Sequence, residues 1–193
     1  MGERTKPSVV LVVPNFRWSN WDKNTLWHYI PYNLCMLGAM VEDIANVSIV
    51  DAYKEDMTES MLTERLNNLK PDIVGITVLF DQYGSSGHIA ADIAKKSGAK
   101  VVMGGVYATN NTEKVMKDEN IDCVIIGEGE YMFRHLVKLY MMGDWNCRFT
   151  LKGETIYDLD KLPLPAYHLL DYDKYSHSAE RKSVDSPRCF PYA

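Results

Sequence analysis

Apolar residues follow two alternating patterns along this chain. Continuous runs rich in β-branched residues occur five times, at Ser8–Val13, Val47–Val50, Asp72–Val78, Val101–Met103 and Cys123–Ile126. Between and after them, apolar residues recur every three or four positions, at Leu34–Ile44, Met61–Leu69, Ile89–Ala94, Val115–Met116 and Phe133–Tyr140. The runs are typical of strands buried on both faces of a parallel sheet, and the spaced segments are typical of amphipathic helices.

Five strands alternating with five helices predict an α/β fold with a doubly wound parallel sheet. Right-handed crossovers leave few topologies, and we predict the flavodoxin-like, Rossmann-like strand order 2-1-3-4-5. Helix boundary signals agree with this assignment, since Thr58 and Thr112 are placed as N-caps and Gly98 follows the third helix.

The pattern changes after residue 143. Residues 149–151 and 155–157 flank Lys152-Gly153-Glu154 and predict a small β-hairpin. Pro163 and Pro165 exclude a helix and favour an extended segment. We therefore expect an α/β domain over residues 1–143, and a hairpin and linker over residues 144–193 that lead towards another domain.

Composition narrows the class of protein. The chain has 193 residues, of which 46% are hydrophobic, as expected for one globular domain. Its 21 basic and 26 acidic residues give a net charge of -5, which does not suit a general nucleic-acid binder. No apolar run approaches the roughly 20 residues that cross a bilayer, and Met1–Lys6 does not resemble a secretory signal, so we expect a cytoplasmic protein without a membrane segment.

The cysteines and histidines offer no metal site. The four cysteines lie far apart in sequence, and we interpret Cys35 and Cys123 as buried thiols within a helix and a strand. The five histidines share no ligand spacing and are expected at the surface: His28, His88, His135, His168 and His177.

Candidate binding residues follow the strands, because ligands of doubly wound sheets bind beyond the carboxyl ends of the strands. Pro14-Asn15 follows the first strand, Gly104-Gly105 ends the fourth, and Gly127-Glu128-Gly129-Glu130 follows the fifth. The two glycine-rich ends together predict an extended ligand that lies across the sheet edge.

An aromatic stretch after the first strand has two interpretations, either a small core that folds the loop onto the sheet or a wall for a flat ligand. Its members are Phe16, Trp18, Trp21, Trp27, Tyr29 and Tyr32.

Familiar α/β sites are missing. The loop after the first strand contains no glycine, so it holds neither a dinucleotide fingerprint nor a phosphate-binding P-loop. A response-regulator receiver domain needs acidic residues where Pro14-Asn15 and Thr77 stand, and Phe16-Arg17-Trp18 is a poor flavin phosphate loop.

The order and spacing of six short motifs carry a family resemblance. They are Pro14-Asn15, Pro31-Tyr32-Asn33-Leu34 with Leu37-Gly38, the strand Pro71–Thr77, Gly104-Gly105, Gly127-Glu128-Gly129-Glu130 and Leu162-Pro163-Leu164-Pro165-Ala166-Tyr167. From about Ser8 to Ala193 the chain resembles the N-terminal cobalamin-binding domain of cobalamin-dependent radical SAM enzymes, a family that includes methyltransferases and the anaerobic magnesium-protoporphyrin ester cyclase.

The resemblance implies a role for each matched residue. Gly104, Gly105, Gly127, Glu128 and Gly129 would line a groove for the nucleotide tail of cobalamin. Thr77 and Val78 would end the third strand beside that groove, Tyr107 would follow its glycines, and Pro14 and Asn15 would approach the corrin ring. No histidine here has Asp two positions before it and Gly three after it, so we expect no protein histidine ligand to cobalt.

The resemblance also implies partners that these residues do not supply. A radical SAM barrel holds its 4Fe-4S cluster with CxxxCxxC, which is absent here. Relatives place that motif shortly after a segment like Ser186–Ala193. We therefore expect a shortened form, a proteolytic fragment or a split gene product, with the barrel and its S-adenosylmethionine in cis or in trans.

Under that expectation, the chain alone binds cobalamin and catalyses nothing. The whole enzyme would transfer a methyl group to an unreactive carbon. The alternatives are a stand-alone cobalamin-binding or regulatory module and, as the less favoured of the two, a flavodoxin-like electron carrier.

Overall fold

The fold is a six-stranded, all-parallel sheet with the order β2-β1-β3-β4-β5-β6. The computed structural model describes residues 6–19, 29–171 and 173–176. The strands are β1 (Ser8–Val13), β2 (Asn46–Asp51), β3 (Ile73–Thr77), β4 (Lys100–Gly104), β5 (Cys123–Ile126) and β6 (Phe149–Lys152). The predicted α/β class and the predicted order of the first five strands are confirmed.

Helices cover the sheet in two groups. They are α1 (Tyr32–Val41), α2 (Glu59–Leu69), α3 (Gly84–Lys96), α4 (Val106–Asn110), α5 (Thr112–Met116), α6 (Glu130–Met142) and α7 (Asp173–Ser176). Helix α1 packs against α6, and α2 packs against α3. None of the helices among the described residues is long and apolar enough to cross a lipid bilayer.

The core lies along the central strands. Residues Val9–Val13 of β1 and Ile73–Thr77 of β3 are all buried, as their continuous apolar runs predict. A Cβ on Gly75 would lie 2.8 Å from Leu11 Cδ2 and 3.3 Å from Phe133 Cε2. The missing side chain at Gly75 therefore lets α6 approach β3 closely and brings Phe133 to the sheet.

Only one of the two predicted N-caps has that role. Thr58 Oγ1 accepts a hydrogen bond from the Met61 N–H at 3.2 Å and caps α2. Thr112 is already the first residue of α5, and its hydroxyl donates to the Ala108 carbonyl at 2.9 Å. Helices α4 and α5 are separated by Asn111 alone, so this hydroxyl meets the end of α4 instead of the N–H groups of α5.

The hairpin expected beyond residue 143 is replaced by a sixth sheet strand. Strand β6 pairs in parallel with β5, from Cys123 opposite Phe149 to Ile126 opposite Lys152, and residues 155–157 form no strand. The edge of β5 offers unpaired backbone groups, which β6 satisfies after the chain returns along α6. The sheet thus continues past residue 143.

Gly153 illustrates why the turn prediction failed. Its N–H extends the ladder by donating to the Ile126 carbonyl at 2.8 Å. A Cβ at this position would overlap the Glu128 carbonyl oxygen. Glycine is required here because two backbone segments approach each other closely. A glycine between two apolar stretches is also typical of a hairpin turn, and for that reason the hairpin prediction was wrong.

After β6 the chain crosses back over the molecule. We call residues 158–171 and 173–176 the return segment. Its Ala166 N–H donates to the Cys35 carbonyl at 3.0 Å, on α1. The Tyr175 hydroxyl donates to Asp51 Oδ2 at 2.7 Å, at the end of β2. Burial raises the pKa of the Asp51 carboxyl, while this bond and the one from the Lys54 N–H oppose the rise. The return segment is therefore anchored at the edge opposite β6.

The buried and exposed cysteines are expected to differ in their reactivity towards thiol reagents. Burial raises the thiol pKa of Cys35 to about 11 and that of Cys123 to about 12, whereas Cys147 is exposed. In a variant that combines Cys147→Ser and Cys189→Ser, we expect no reaction with a disulfide reagent at pH 8 until urea unfolds the chain, because the thiolate is the reactive form. Rapid labelling of the folded variant would contradict this burial.

The anchor of the return segment is tested by Tyr175→Phe. We expect a loss of about 1 kcal/mol in the free energy of unfolding, because a buried carboxylate loses a hydrogen-bond donor. Urea denaturation at pH 7 measures the loss, and limited proteolysis should cleave the return segment faster. Tyr157→Phe is the matched control, since the Tyr157 side chain is 94% exposed. Equal behaviour of the two variants would show that the bond to Asp51 contributes nothing.

Candidate functional site

A cavity of about 620 Å³ opens at the carboxyl edge of the sheet, and we call it the edge groove. It crosses the ends of β3, β4 and β5, between the first turns of α1 and α6. Its apolar lining includes Leu34, Leu37, Ile76, Val102, Ile125 and Phe133, and its polar lining includes Asn33, Thr77, Thr109, Asn110, Glu128 and Glu130. The volume falls within the range of small-molecule and cofactor sites, about 300–1,000 Å³.

Two glycines keep the edge groove open. A Cβ on Gly104 would have its nearest neighbour, the Ile125 carbonyl oxygen, 3.9 Å away, and a Cβ on Gly129 would lie 3.4 Å from Leu37 Cδ2. Neither residue has a positive φ. Because both line the cavity, their missing side chains leave space for a ligand rather than for other protein atoms.

Two other glycines are required by the backbone itself. Gly105 has a φ of 91°, and a Cβ there would lie 2.6 Å from the Val78 carbonyl oxygen. Gly127 has a φ of 76°, and a Cβ there would lie 3.1 Å from the Gly153 carbonyl oxygen. Any other residue would be strained at both positions, so these glycines shape the walls of the edge groove.

Hydrogen bonds hold the polar groups of the rim. Asn33 Nδ2 donates to Thr77 Oγ1 at 3.0 Å, which links the first turn of α1 to the end of β3. The Gly127 N–H donates to Thr109 Oγ1 at 3.1 Å, which links the end of β5 to α4. Each hydroxyl keeps its own proton available for an acceptor, so the rim can both donate and accept hydrogen bonds.

Among the described residues, the charged side chains that line the edge groove are all acidic. Glu128 and Glu130 line it, and no Lys, Arg or His does so among the described residues. Glu128 is exposed, whereas Glu130 Oε2 is buried and has no hydrogen-bond partner among the described residues. The groove thus offers acceptors and an apolar surface, without a side-chain cation for a phosphate group.

Six of the ten predicted site residues line the edge groove together: Thr77, Gly104, Gly105, Gly127, Glu128 and Gly129. The other four are buried and do not line it: Pro14, Asn15, Val78 and Tyr107. The Val78 carbonyl accepts from the Tyr107 N–H at 3.1 Å, which holds the backbone around Gly105.

Asn15 has partners within the protein. Its Nδ2 donates to the Met57 carbonyl at 3.0 Å, and its Oδ1 accepts from the Arg17 N–H at 3.1 Å. These bonds cap the short 3₁₀ turn that follows β1 and tie it to the chain after β2. The described contacts of Asn15 are therefore structural.

Sequence reasoning did not assign Asn33, Thr109, Phe133, Leu159 or Leu162 to the site, although all five line the edge groove. Asn33 had a local signal, as a polar residue in the first turn of an otherwise apolar helix. Leu162 begins one of the six motifs behind the family resemblance, but nothing in the sequence placed it or Leu159 at the groove, because both reach it only through the path of the return segment.

Each of the two interpretations of the aromatic stretch applies to part of it. Phe16 stacks on Tyr83, with ring centroids 4.3 Å apart, and Trp18 Nε1 donates to the Met57 carbonyl at 2.9 Å. These two residues form a small core on the loop. Tyr32 is 67% exposed and lines the edge groove. Trp21 and Trp27 lie outside the described residues.

The described histidines lie away from the edge groove. His88 contacts Asp118 through Nδ1 at 2.6 Å and the Tyr107 hydroxyl through Nε2 at 3.0 Å. His135 is exposed on α6, and His168 pairs with Glu42 at 3.0 Å. His28 and His177 lie outside the described residues. No cluster of three or more potential metal ligands occurs in the part of the chain that the structure describes.

Comparison with known proteins identifies related sequences. The family model described as "B12 binding domain" matches residues 27–137. An uncharacterised methyltransferase of Pyrococcus horikoshii is 33% identical over an aligned length of 165, and the alignment covers 75% of this chain and 35% of that protein. The anaerobic magnesium-protoporphyrin IX monomethyl ester cyclase of Rubrivivax gelatinosus is 30% identical over an aligned length of 162, and the alignment covers 74% of this chain and 29% of that protein.

The fold has a similar counterpart among solved structures. The cobalamin-dependent S-adenosylmethionine radical enzyme OxsB, with aqua-cobalamin and S-adenosylmethionine bound, aligns with a TM-score of 0.66 and 19% identity over 89% of this chain. The alignment covers 25% of the OxsB chain, so this chain spans only about a third or less of each protein named here. With its family model matched across more than half of its residues, the chain belongs to the B12-binding domain family.

Proposed function

We propose that the edge groove holds the nucleotide tail of cobalamin, and that the chain is the cobalamin-binding part of a radical SAM enzyme. The observation that carries this proposal is the space at Gly104, a residue that lines the groove and where a Cβ would meet no protein atom closer than 3.9 Å. Membership of the B12-binding domain family and the similarity to the two curated relatives support it.

The residues present fit such a ligand. Apolar side chains of Leu37, Ile125 and Phe133 suit the flat aromatic base of the tail. Hydroxyl and amide groups of Thr77, Thr109 and Asn33 suit its ribose and phosphate. The glycine at position 129 widens the passage between α1 and α6.

The buried residues act indirectly in this proposal. Val78 and Tyr107 hold the turn at Gly105, which forms one wall of the groove. Pro14 and Asn15 follow β1 at the same edge of the sheet, and we assign to the corrin ring the side of the turn that they hold in place. Exposed Tyr32 and Leu159 flank the groove and would shield the bound ring from water.

Bound cobalamin supplies a cobalt centre that can carry a methyl group, and we assign the whole enzyme to methyl transfer onto an unreactive carbon. The name of the Pyrococcus horikoshii relative supports this choice over cyclisation. The described residues bind and orient the cofactor. The 4Fe-4S cluster, S-adenosylmethionine and substrate would be held by a barrel in cis or in trans, so we assign no catalysis to these residues alone.

The proposal predicts that the purified chain binds cobalamin. After incubation with hydroxocobalamin and desalting, we expect about one cobalamin per chain, because the tail would be enclosed by the edge groove. The visible spectrum measures retention and reports whether the lower nitrogen ligand has left the cobalt. FMN serves as the control ligand, since its terminal phosphate carries more negative charge than the phosphodiester of cobalamin and the groove lacks a side-chain cation to balance it. Retention of FMN without cobalamin would contradict the proposal.

Substitution of Gly104 tests the groove itself. Gly104→Val should weaken cobalamin binding about tenfold or more, because the new side chain would occupy the ligand's space. Its melting temperature should stay unchanged, since a Cβ there contacts no protein atom closely. Gly143→Ala is the matched control: its φ of 79° predicts a lower melting temperature and unaltered binding. Equal cobalamin affinity in both variants would place the tail elsewhere. Gly105→Val is unsuitable, because it would strain the backbone.

A further inference from the structure

Glu130 lines the edge groove, and one of its two carboxylate oxygens is an unsatisfied acceptor. It is the first residue of α6, and Oε2 is buried without a hydrogen-bond partner among the described residues. Removing a carboxylate oxygen from water without giving it a partner is costly, so such atoms in folded proteins are almost always hydrogen-bonded. The orphaned oxygen therefore points to a donor that arrives with a ligand.

The surroundings restrict the chemistry of that donor. No Lys, Arg or His among the described residues lines the groove, so no side-chain cation of the described protein faces Glu130 there. The neighbouring acid, Glu128, makes the same end of the groove more negative. A phosphate or carboxylate would be repelled at this point, whereas a neutral N–H or O–H group would be attracted.

We propose that Glu130 is a specificity-determining residue that accepts a hydrogen bond from a carboxamide N–H or a ribose hydroxyl of the bound corrinoid. The inference rests on the proposed function, because it takes the ligand of the groove to be cobalamin. Cobalamin carries both kinds of donor, with carboxamides around the corrin ring and a hydroxyl in the nucleotide tail. A ligand that presents only acceptors at this position leaves the carboxylate unpaired and binds weakly.

The chemistry of the side chain strengthens this assignment. Glu130 is the acidic residue in the first turn of α6, and its N-cap, Gly129, has no side chain that could donate to it. A carboxylate accepts hydrogen bonds and donates none, so it distinguishes sharply between ligands with and without a donor.

The experiment measures equilibrium binding of two corrinoids to the purified chain and to variants. Cobalamin and cobinamide differ in the nucleotide tail, which cobinamide lacks, and both keep the carboxamides. Glu130→Ala should weaken cobalamin binding tenfold or more, as expected for a lost hydrogen bond to a charged group, and Glu130→Gln should fall between it and the original chain. A loss confined to cobalamin assigns the donor to the ribose, and an equal loss for both ligands assigns it to a corrin carboxamide.

Glu59→Ala is the matched control. It removes the same charge from the first residue of α2, an exposed position that does not line the groove, so we expect affinity within about twofold of the original chain. Melting temperatures of all variants check the fold. Unchanged affinity in Glu130→Ala, or equal losses in Glu59→Ala and Glu130→Ala, would overturn the inference while cobalamin binding by the original chain stands. A chain that binds no corrinoid at all would overturn the proposed function, and the inference with it.

Discussion

The edge groove depends on the way the chain leaves β4. The Val78 N–H donates to the Gly104 carbonyl at 3.2 Å, and the Val78 carbonyl accepts from the Tyr107 N–H at 3.1 Å. Between them Gly105 turns at a φ of 91°, within contact of the Val78 backbone. This pairing draws the ends of β3 and β4 together and fixes the point where α4 begins. The space above Gly104 is left free of protein atoms, and the ligand-sized cavity lies there.

The opposite wall is built by a second close approach of backbones. Gly153 packs against Glu128, and Gly127 lies under the Gly153 carbonyl. These contacts exist because β6 adds to β5 as a parallel strand. Without β6, the segment that carries Glu128 and Gly129 would have no support on its outer side. The sixth strand is therefore part of the binding site as well as of the sheet.

The return segment connects the two edges of the molecule. It passes the edge groove at Leu159 and Leu162, packs on α1 at Ala166, and reaches β2 at Tyr175. Gly38 on α1 makes room for it, since a Cβ there would lie 2.7 Å from Leu169 Cδ1. A chain that continues beyond the return segment starts from an anchored position beside the carboxyl edge of the sheet, where the proposed cofactor binds.

The sequence by itself determined the order of the first five strands and the glycines at their ends. Buried parallel strands need continuous apolar runs, and the crossover rules then leave few arrangements of those strands. Local signals also located Gly104, Gly105 and Gly127, because a glycine directly after a strand marks a turn or a close approach.

Only the tertiary structure decided which glycines leave open space and which relieve strain. Gly104 and Gly105 are neighbours with different roles, and the distinction depends on atoms of Ile125 and Val78, distant in sequence. The parallel pairing of β6, the arrival of Leu162 at the groove and the burial of Glu130 Oε2 were likewise beyond the sequence pattern. Each of them is set by contacts between segments far apart in the chain, and local propensity carries no information about such contacts.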